Sequence, residues 1–284
     1  MRASVYEQYF HSIYSPTPKN QFLSPHFTKS DIFPFTFRII SVYDFAMKKY
    51  SDHIFYMEGN PVTDQPFVYY IRGSRYSLLA DAGNSPENYQ KLLRELRELS
   101  LPKPDFIALT HWHWDHTFAL NTVSCPVIAS DLTNAKLKEV MLWSWDEESM
   151  RKRLTTGEDI QFCYDYIHAQ YEDPTEIRVR CADITFSETM TIDLGEVTCI
   201  LEHRDSPHSR DSVLIHIPEE EVLIGGDAHY GDYYCNEGFY DQKRLDSFLA
   251  YLKEKPFRTY LKGHDSPSLT KEELFRELSL AEVR

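Results

Sequence analysis

The sequence has no long hydrophobic run. Its apolar stretches are far shorter than the roughly 20 residues that a membrane-spanning helix needs. The N-terminal residues from Met1 to Tyr6 also lack the apolar core of a signal peptide. We therefore expect a cytoplasmic protein with no membrane partner.

Cysteine is scarce and scattered. The five cysteines are odd in number and include no C-x-x-C pair. This pattern argues against a disulfide framework and against a zinc site built from thiolates. We expect the cysteines to be small buried hydrophobic residues.

Basic side chains are the minority among the charged residues. The sequence has 30 Lys and Arg against 44 Asp and Glu, which gives a net charge of -14, and it has no Lys/Arg-rich run. The negative electrostatic field of such a protein repels phosphate backbones, so a nucleic-acid partner is disfavoured. A small-molecule substrate fits this charge balance better.

Hydrophobic residues make up 42% of the sequence and include 17 Phe and 19 Tyr, which is ample material for one buried core. Residues 1–34 contain several prolines and no sustained period, which predicts an irregular N-terminal arm. We expect this aromatic-rich arm to lie on the surface or on a second subunit, which leaves a homodimer open. We predict one domain over residues 35–284.

Short β-rich runs alternate with helical patterns, which favours an α/β fold. Helices are predicted at 86–99, within 131–176, at about 241–254 and from about Leu269. The predicted strands are 35–43, 67–71, 76–79, 106–109, 177–179, 190–192, 197–201, 213–217, 222–224 and 259–261.

A histidine-rich run, Thr110 to His116, begins where a predicted strand ends. His111, His113 and His116 with Asp115 supply the mixed nitrogen and oxygen donors that suit zinc, and also manganese or iron. In an extended strand end His111 and His113 point the same way and can hold one ion. Asp115 and His116 lie past the turn and can reach a second ion. Two ions can share a bridging hydroxide, which is a design for hydrolysis.

The pattern H-x-H-x-D-H, downstream of the strand end Leu79 to Gly83, resembles the metallo-β-lactamase superfamily. Three later motifs of that superfamily follow in order. They resemble 208–212 (His-Ser-Arg-Asp-Ser), 225–228 (Gly-Gly-Asp-Ala) and 262–265 (Lys-Gly-His-Asp). The resemblance covers roughly residues 45–265. It implies an αββα four-layer sandwich, with a helical insertion at about 131–176.

The resemblance also implies the metal ligands. A first zinc ion would be held by His111, His113 and His208, and a second by Asp115, His116 and His264. Asp227 would bridge the two ions, and Asp81 would fix the loop that carries the ligands. His203 competes with His208 for the third ligand position, and we prefer His208 because polar residues and then a β-branched strand follow it.

Two features of the sequence bear on the substrate. Phe118 stands where the superfamily commonly has a small residue, and it would crowd that turn. All four tryptophans lie in the histidine-rich run or in the helical insertion, at Trp112, Trp114, Trp143 and Trp145. They form either an aromatic-walled pocket for an apolar group or ordinary core packing, and the sequence favours neither.

The function that the resemblance implies is hydrolysis, with a metal-bridging hydroxide attacking a carbonyl carbon and Asp115 positioning the nucleophile. Tyr230 stands three residues after Asp227, like a tyrosine of the lactonase branch that donates to the substrate carbonyl. β-Lactamases of this fold generally have Cys or Ser in place of Asp227, which counts against penicillin hydrolysis. Small esters, lactones and thioesters remain. The alternatives are a phosphodiesterase or nuclease of the same fold, and a non-catalytic metal-containing protein that binds an effector or partner.

Overall fold

The computed structural model describes residues 47–284. The predicted arm at 1–34 and the predicted strand at 35–43 lie outside the described residues. Two β-sheets and helices on their outer faces make up the described part of the chain. Within it, no helix combines the length and the apolar content that crossing a bilayer requires.

The first sheet has seven strands in chain order, antiparallel from β1 to β4 and parallel from β4 to β7. The carboxyl ends of parallel strands meet at one edge of a sheet, so the residues that follow β4 and β5 come close together. The strands are β1 (Met47–Lys49), β2 (Ile54–Met57), β3 (Val68–Arg72), β4 (Ser77–Ala80), β5 (Phe106–Ala108), β6 (Val127–Ser130) and β7 (Ile184–Phe186).

The second sheet has six strands in the order β13-β12-β11-β10-β9-β8, and its pairs are antiparallel except for β11 with β12. The carboxyl ends of β11 and β12 therefore lie side by side. The strands are β8 (Thr189–Gly195), β9 (Val197–His203), β10 (Val213–Ile217), β11 (Val222–Gly226), β12 (Thr259–Lys262) and β13 (Ser268–Thr270).

The helices begin and end at recognisable residues. The first begins where the Ser85 side chain accepts a hydrogen bond from the backbone of Asn88, with proline in the first turn. The helices are α1 (Pro86–Glu98), α2 (Trp114–Thr117), α3 (Asp131–Val140), α4 (Glu147–Thr156), α5 (Gln161–Gln170), α6 (Tyr233–Asn236), α7 (Gln242–Glu254) and α8 (Lys271–Ser279). Short 3₁₀ turns lie at Leu120–Thr122, Pro174–Glu176 and Pro218–Glu220.

Three apolar layers show how the elements stack. Side chains of both sheets, such as Leu78 and Ile215, fill the layer between the sheets. Leu92 of α1 packs with the outer face of the first sheet, and Phe248 of α7 packs with the outer face of the second. The order helix, sheet, sheet, helix confirms the predicted αββα sandwich.

The helical segment between β6 and β7 contains α3, α4 and α5 and has its own apolar core. The strand predicted at 177–179 is wrong, because the chain resumes strand pairing at Ile184, beside β6. The terminal helix begins at Lys271 rather than near Leu269, since residues 268–270 pair with β12. Burial of the cysteines is confirmed for Cys163 and Cys199 and is wrong for Cys235, which is exposed.

Candidate metal centre

The predicted metal ligands meet at one edge of the sandwich, where strands of both sheets end. The Thr110–His116 run follows β5, and the loop with His208 leads into β10. Asp227 follows β11 and His264 follows β12. The ligand side chains are buried, apart from His264, which is half-buried. The fold therefore brings together the residues that the sequence motifs single out.

Asp81 lies directly after β4 and holds the start of the histidine-rich run. Its carboxylate accepts hydrogen bonds from the backbone N–H of Thr110 at 2.7 Å and from the Thr110 hydroxyl at 2.8 Å. It also lies 2.8 Å from Nδ1 of His116. Asp81 adopts a positive φ of 64°, a conformation that aspartate tolerates better than most residues. One buried carboxylate thus holds the turn, as the resemblance implies, and also orients an imidazole.

Three imidazoles form the first group of candidate ligands. Nδ1 of His113 lies 3.0 Å from Nε2 of His208, and one ring nitrogen of each of His111, His113 and His208 lies within 4.8 Å of the others. The Nδ1–H of His208 donates to the carbonyl of Gly231 at 2.9 Å, and that of His111 to the Thr110 hydroxyl at 3.0 Å. These bonds leave the Nε2 lone pairs of both rings available for a metal ion.

Asp115, His116, Asp227 and His264 form the second group. Oδ2 of Asp115 lies 2.9 Å from Nε2 of His116 and 3.1 Å from Nε2 of His264. Oδ2 of Asp227 lies 3.3 Å and 3.4 Å from the same two nitrogens. Two carboxylates and two imidazoles thus face one point.

Asp227 faces the first group as well. Its Oδ2 lies 3.7 Å from Nε2 of His208 and 3.9 Å from Nε2 of His111. A single carboxylate oxygen is therefore close to ring nitrogens of both groups, which is where a ligand shared by two metal ions would lie.

The donor atoms fit metal ions. Among the described residues, neither Nε2 of His111 nor Oδ1 of Asp227 has a hydrogen-bond partner, although both atoms are buried. Buried polar atoms are normally paired, so each such atom needs an explanation. Imidazole nitrogen and carboxylate oxygen are donors that suit zinc, manganese or iron. The two groups are able to hold metal ions.

The electrostatics differ between the two groups. Burial lowers the pKa of His111 and of His113 well below the usual imidazole value, and neighbouring imidazoles add to the shift. Burial also opposes the charged form of His116, but carboxylates, Asp115 foremost, outweigh it and raise that pKa. Neutral imidazole is the form that binds metal. The surplus of carboxylates around the second group favours positive charge there, which a bound cation supplies.

Two glycines allow Asp227 to reach this position. The pairing of β11 with β12 shifts register between Ile224 and Gly226, which is a local bulge that re-aims the next residue. Gly226 has a φ of +51°, and a Cβ there would lie 2.7 Å from the Thr110 hydroxyl oxygen. A Cβ on Gly263 would lie 2.0 Å from Oδ1 of Asp227. The Asp227 side chain therefore occupies space that alanine at residue 263 would take.

We predict that Gly263→Ala weakens metal binding without removing a ligand. The new methyl group would displace the Asp227 carboxylate, and shifts in the support of a metal site typically cost about 10- to 100-fold in affinity. Competition with a chelating dye measures this. Gly157→Asn is the control, because residue 157 ends α4 at a positive φ with no atom within 4 Å of its Cβ position. Unchanged affinity in the Gly263 variant would contradict the prediction.

The loop that carries His208 is tied to the helical segment. The Thr133 hydroxyl in α3 donates to the Asp211 carboxylate at 2.8 Å, and the Ser130 hydroxyl donates to the Asp211 carbonyl at 3.2 Å. His203, the alternative ligand, instead lies 2.8 Å from the carbonyl of Arg210 and outside both groups. The geometry supports the choice of His208.

Tyr230 lies beside the candidate ligands. Its ring centroid is 6.3 Å from that of His208 and 6.5 Å from that of His264. Its hydroxyl donates to the Asp265 carboxylate at 2.8 Å and lies 3.1 Å from the carbonyl of His264. Its role as a donor to a substrate carbonyl stays a prediction, and it requires the hydroxyl to turn away from Asp265.

Two further residues border the site and carry no sequence signal. Asp64, in the loop between β2 and β3, places Oδ1 3.7 Å from Nδ1 of His264. The Tyr234 ring lies 5.0 Å from the His113 ring, and its hydroxyl lies 3.2 Å from Sγ of Cys163 in α5. Neither residue belongs to a ligand motif. Tertiary folding alone brings them to the site.

The tryptophans mainly pack the core of the helical segment. Trp114 and Trp145 are buried, and the Arg153 guanidinium lies over the rings of Trp143 and Trp145 at 4.6 Å and 4.7 Å. Phe118 is also buried and contacts the Trp145 ring edge to face. Rather than crowding the turn, Phe118 anchors the helical segment to it.

Comparisons with known proteins agree with this geometry. The family model described as the metallo-beta-lactamase superfamily matches residues 61–264. Proteins named acyl-coenzyme A thioesterase MBLAC2 are similar to this chain: the Gallus gallus protein is 26% identical over 185 residues and the Homo sapiens protein 25% over 188. Each match covers 62% of this chain, and the chain spans about three fifths of these relatives, 60% and 61%.

A solved metallo-beta-lactamase from Pontibacter korlensis has the same fold, with a TM-score of 0.58 at 18% identity. The match covers 82% of this chain and 97% of that one. The matched family region includes every candidate ligand, from His111 to His264. The chain therefore belongs to the metallo-β-lactamase superfamily.

Proposed function

We propose that this protein is a zinc-dependent hydrolase that cleaves thioesters of small molecules. Three observations support the proposal. The two ligand groups share the Asp227 carboxylate, the superfamily is one of hydrolases, and the curated relatives are named thioesterases. Zinc fits because tetrahedral sites of imidazole and carboxylate donors are typical of it.

The observation that carries the proposal is the position of Asp227 Oδ2 between the two groups of ring nitrogens. His111, His113 and His208 would hold one ion, and Asp115, His116 and His264 the other. When bound, the pair supplies an activated water molecule as nucleophile and polarises a carbonyl oxygen.

The protein's own side chains prepare this chemistry. Hydrogen bonds to Thr110 and Gly231 fix the tautomers of His111 and His208, and Asp81 orients His116. Oδ2 of Asp115 is close to two ligand nitrogens. From there Asp115 orients the attacking water and accepts its proton as the bond to the carbonyl carbon forms. The carbon–sulfur bond then breaks, and the leaving thiolate takes up that proton and departs as a thiol.

The surroundings of the site favour a carbonyl substrate over a phosphodiester. Asp64 and Asp265 lie near His264, and the whole chain carries a net charge of -14. Carboxylates repel the phosphates of a nucleic acid, and cleavage of nucleic acid normally requires a basic surface that attracts the strand.

Turnover on a mixed substrate panel tests the proposal. The panel holds an acyl thioester, a lactone, a simple ester and bis(p-nitrophenyl) phosphate, each given to the zinc-loaded protein and to the variant His113→Ala. We expect the wild type to prefer the thioester and the variant to lose that activity, since one ring nitrogen of the first group is gone. Equal rates for the two proteins would refute hydrolysis at this site. Preference for the phosphodiester would favour the nuclease alternative.

Metal content is a separate prediction. We expect about two zinc ions per chain by elemental analysis after metal loading and desalting, because the ligands form two groups around one carboxylate. Prolonged dialysis against a strong chelator should remove both ions, and thioester turnover should return on adding zinc. One ion or none in the loaded protein would contradict the two-ion assignment.

A further inference from the structure

Two exposed aromatic side chains and a third, half-buried one form a patch next to the candidate metal centre. We name this patch, Phe162, Tyr166 and Tyr233, the aromatic rim. The ring centroids of Phe162 and Tyr166 are 4.5 Å apart, and those of Phe162 and Tyr233 are 5.9 Å apart with an interplanar angle of 27°. Phe162 is 36% exposed and Tyr233 is 37% exposed. The three rings therefore form one contiguous apolar surface that water contacts.

Helix α5 presents two of the three side chains of the aromatic rim. Phe162 and Tyr166 are four residues apart, so they lie on one face of the helix. Cys163 and Ile167 share another face and are buried in the core of the helical segment. The helix thus packs on the core of the helical segment through Cys163 and Ile167. Phe162 lies outside that core.

Tyr233 links the aromatic rim to the metal centre. It begins α6, which follows Asp227 closely, and its neighbour Tyr234 packs against the ring of His113. Burial raises the pKa of Tyr233 to about 12, and the charges of Asp265, Asp227 and Asp64 add to the shift. Burial also raises the pKa of Tyr166, and the charge of Asp64 raises it further. The aromatic rim therefore lies within electrostatic reach of the carboxylates at the second ligand group.

We propose that the aromatic rim binds the apolar acyl chain of the substrate while the thioester carbonyl lies at the metal centre. This inference rests on the proposed thioesterase function. It adds that the acyl chain is the part of the substrate that the protein selects. Covering exposed rings with methylene groups is favourable in proportion to the apolar area removed from water. The aromatic rim is thus a specificity-determining surface.

The charges near the aromatic rim favour an acyl chain over the nucleotide part of a coenzyme thioester. An adenine ring also stacks on aromatic side chains, but it brings phosphate groups with it. Asp64 and Asp265, which lie outside the proposed ligand set, would repel those phosphates. An acyl chain carries no charge and meets no such repulsion.

Binding of thioethers tests the inference independently of catalysis. S-alkyl N-acetylcysteamine thioethers have no hydrolysable bond and no nucleotide, and a methyl-to-octyl series can be titrated by calorimetry against the zinc-loaded protein. We expect affinity to rise roughly two- to fourfold per methylene that reaches the aromatic rim. Phe162→Ala and Tyr233→Ala should each weaken the octyl compound about tenfold and the methyl compound less than twofold.

Tyr76→Ala is the matched control. Tyr76 is 47% exposed and lies just before β4, at the edge of the sheet opposite to the metal centre. The Tyr76→Ala variant should bind every thioether of the series with unchanged affinity. The melting temperatures of all variants show whether each one is folded. Equal losses for methyl and octyl compounds, or no loss, would overturn the inference. So would a wild type that shows no chain-length dependence.

Two further measurements separate the alternatives. If Phe162→Ala weakens free coenzyme A and spares the octyl thioether, the aromatic rim binds the base, and the acyl assignment is wrong. If zinc-loaded wild type hydrolyses no thioester of any length, the proposed function fails. The thioether series still decides whether the acyl site exists.

Discussion

Asp227→Asn should lower thioester hydrolysis by roughly a thousandfold, the upper range for removing one charged or hydrogen-bonding group from a polar active site. The amide has the shape of the carboxylate but no charge, and among residues 47–284 Asp227 is the one side chain whose single oxygen faces both ligand groups. We therefore also expect the metal content to fall from about two ions per chain towards one. Steady-state kinetics and elemental analysis of the same preparations measure both effects.

Asp193→Asn is the control for this substitution. Asp193 is an exposed carboxylate that pairs with Arg75 on the surface of β8, so its loss should leave turnover and metal content unchanged. A fully active Asp227→Asn protein with two ions would show that this carboxylate does not bridge the metals. Full activity with one ion would show that the second ion is dispensable for the reaction.

Asp81→Ala should destabilise the fold by about 3 kcal/mol or more and weaken metal binding about 10- to 100-fold. The substitution leaves the backbone N–H and hydroxyl of Thr110 and Nδ1 of His116 without their acceptor in a buried place. Each unsatisfied buried group costs about 1–3 kcal/mol. Denaturant unfolding of the metal-free protein measures the stability, and dye competition measures zinc affinity.

Asp105→Ala is the control that separates the effect on stability from the effect on zinc affinity. Asp105 accepts hydrogen bonds from the backbone N–H and the hydroxyl of Ser77 at 2.8 Å and 3.0 Å, at the opposite ends of the same two strands. It is exposed, so its loss should cost about 1 kcal/mol. Zinc affinity should not change. If Asp81→Ala binds zinc as tightly as the wild type, Asp81 is a purely structural residue.

The ligand set was predictable from sequence because the superfamily motifs keep most of the donors within short stretches. The histidine-rich run places four candidate ligands in one turn, so spacing alone indicates a shared target. Asp227 and His264 are isolated in sequence, and only the ordered motifs pointed to them. The strand patterns also predicted five of the six strands of the second sheet and three of the seven strands of the first, since those segments are dense in β-branched, aromatic and other apolar residues.

What the sequence did not predict depends on contacts between distant segments. The sequence did not predict strands β1, β2, β6, β7 and β13, which are three or four residues long, and pairing with neighbours defines them. Asp64 meets His264 across 200 positions of the chain, and Phe162 meets Tyr233 across 71. Such pairs have no signature in one sequence. The tryptophans illustrate the converse, because their placement left a pocket and core packing equally open, and burial assigns Trp114 and Trp145 to packing.

The position of the ligands at the ends of strands from both sheets has a consequence for folding. His111 and His113 follow β5 of the first sheet, whereas Asp227 and His264 follow β11 and β12 of the second. An ion held by both sets is a cross-link that closes long loops of the chain, as a disulfide would, and it is absent from the unfolded state. The free energy of metal binding would then also be free energy of folding, and the supply of metal in the cell would help to set how long the protein survives.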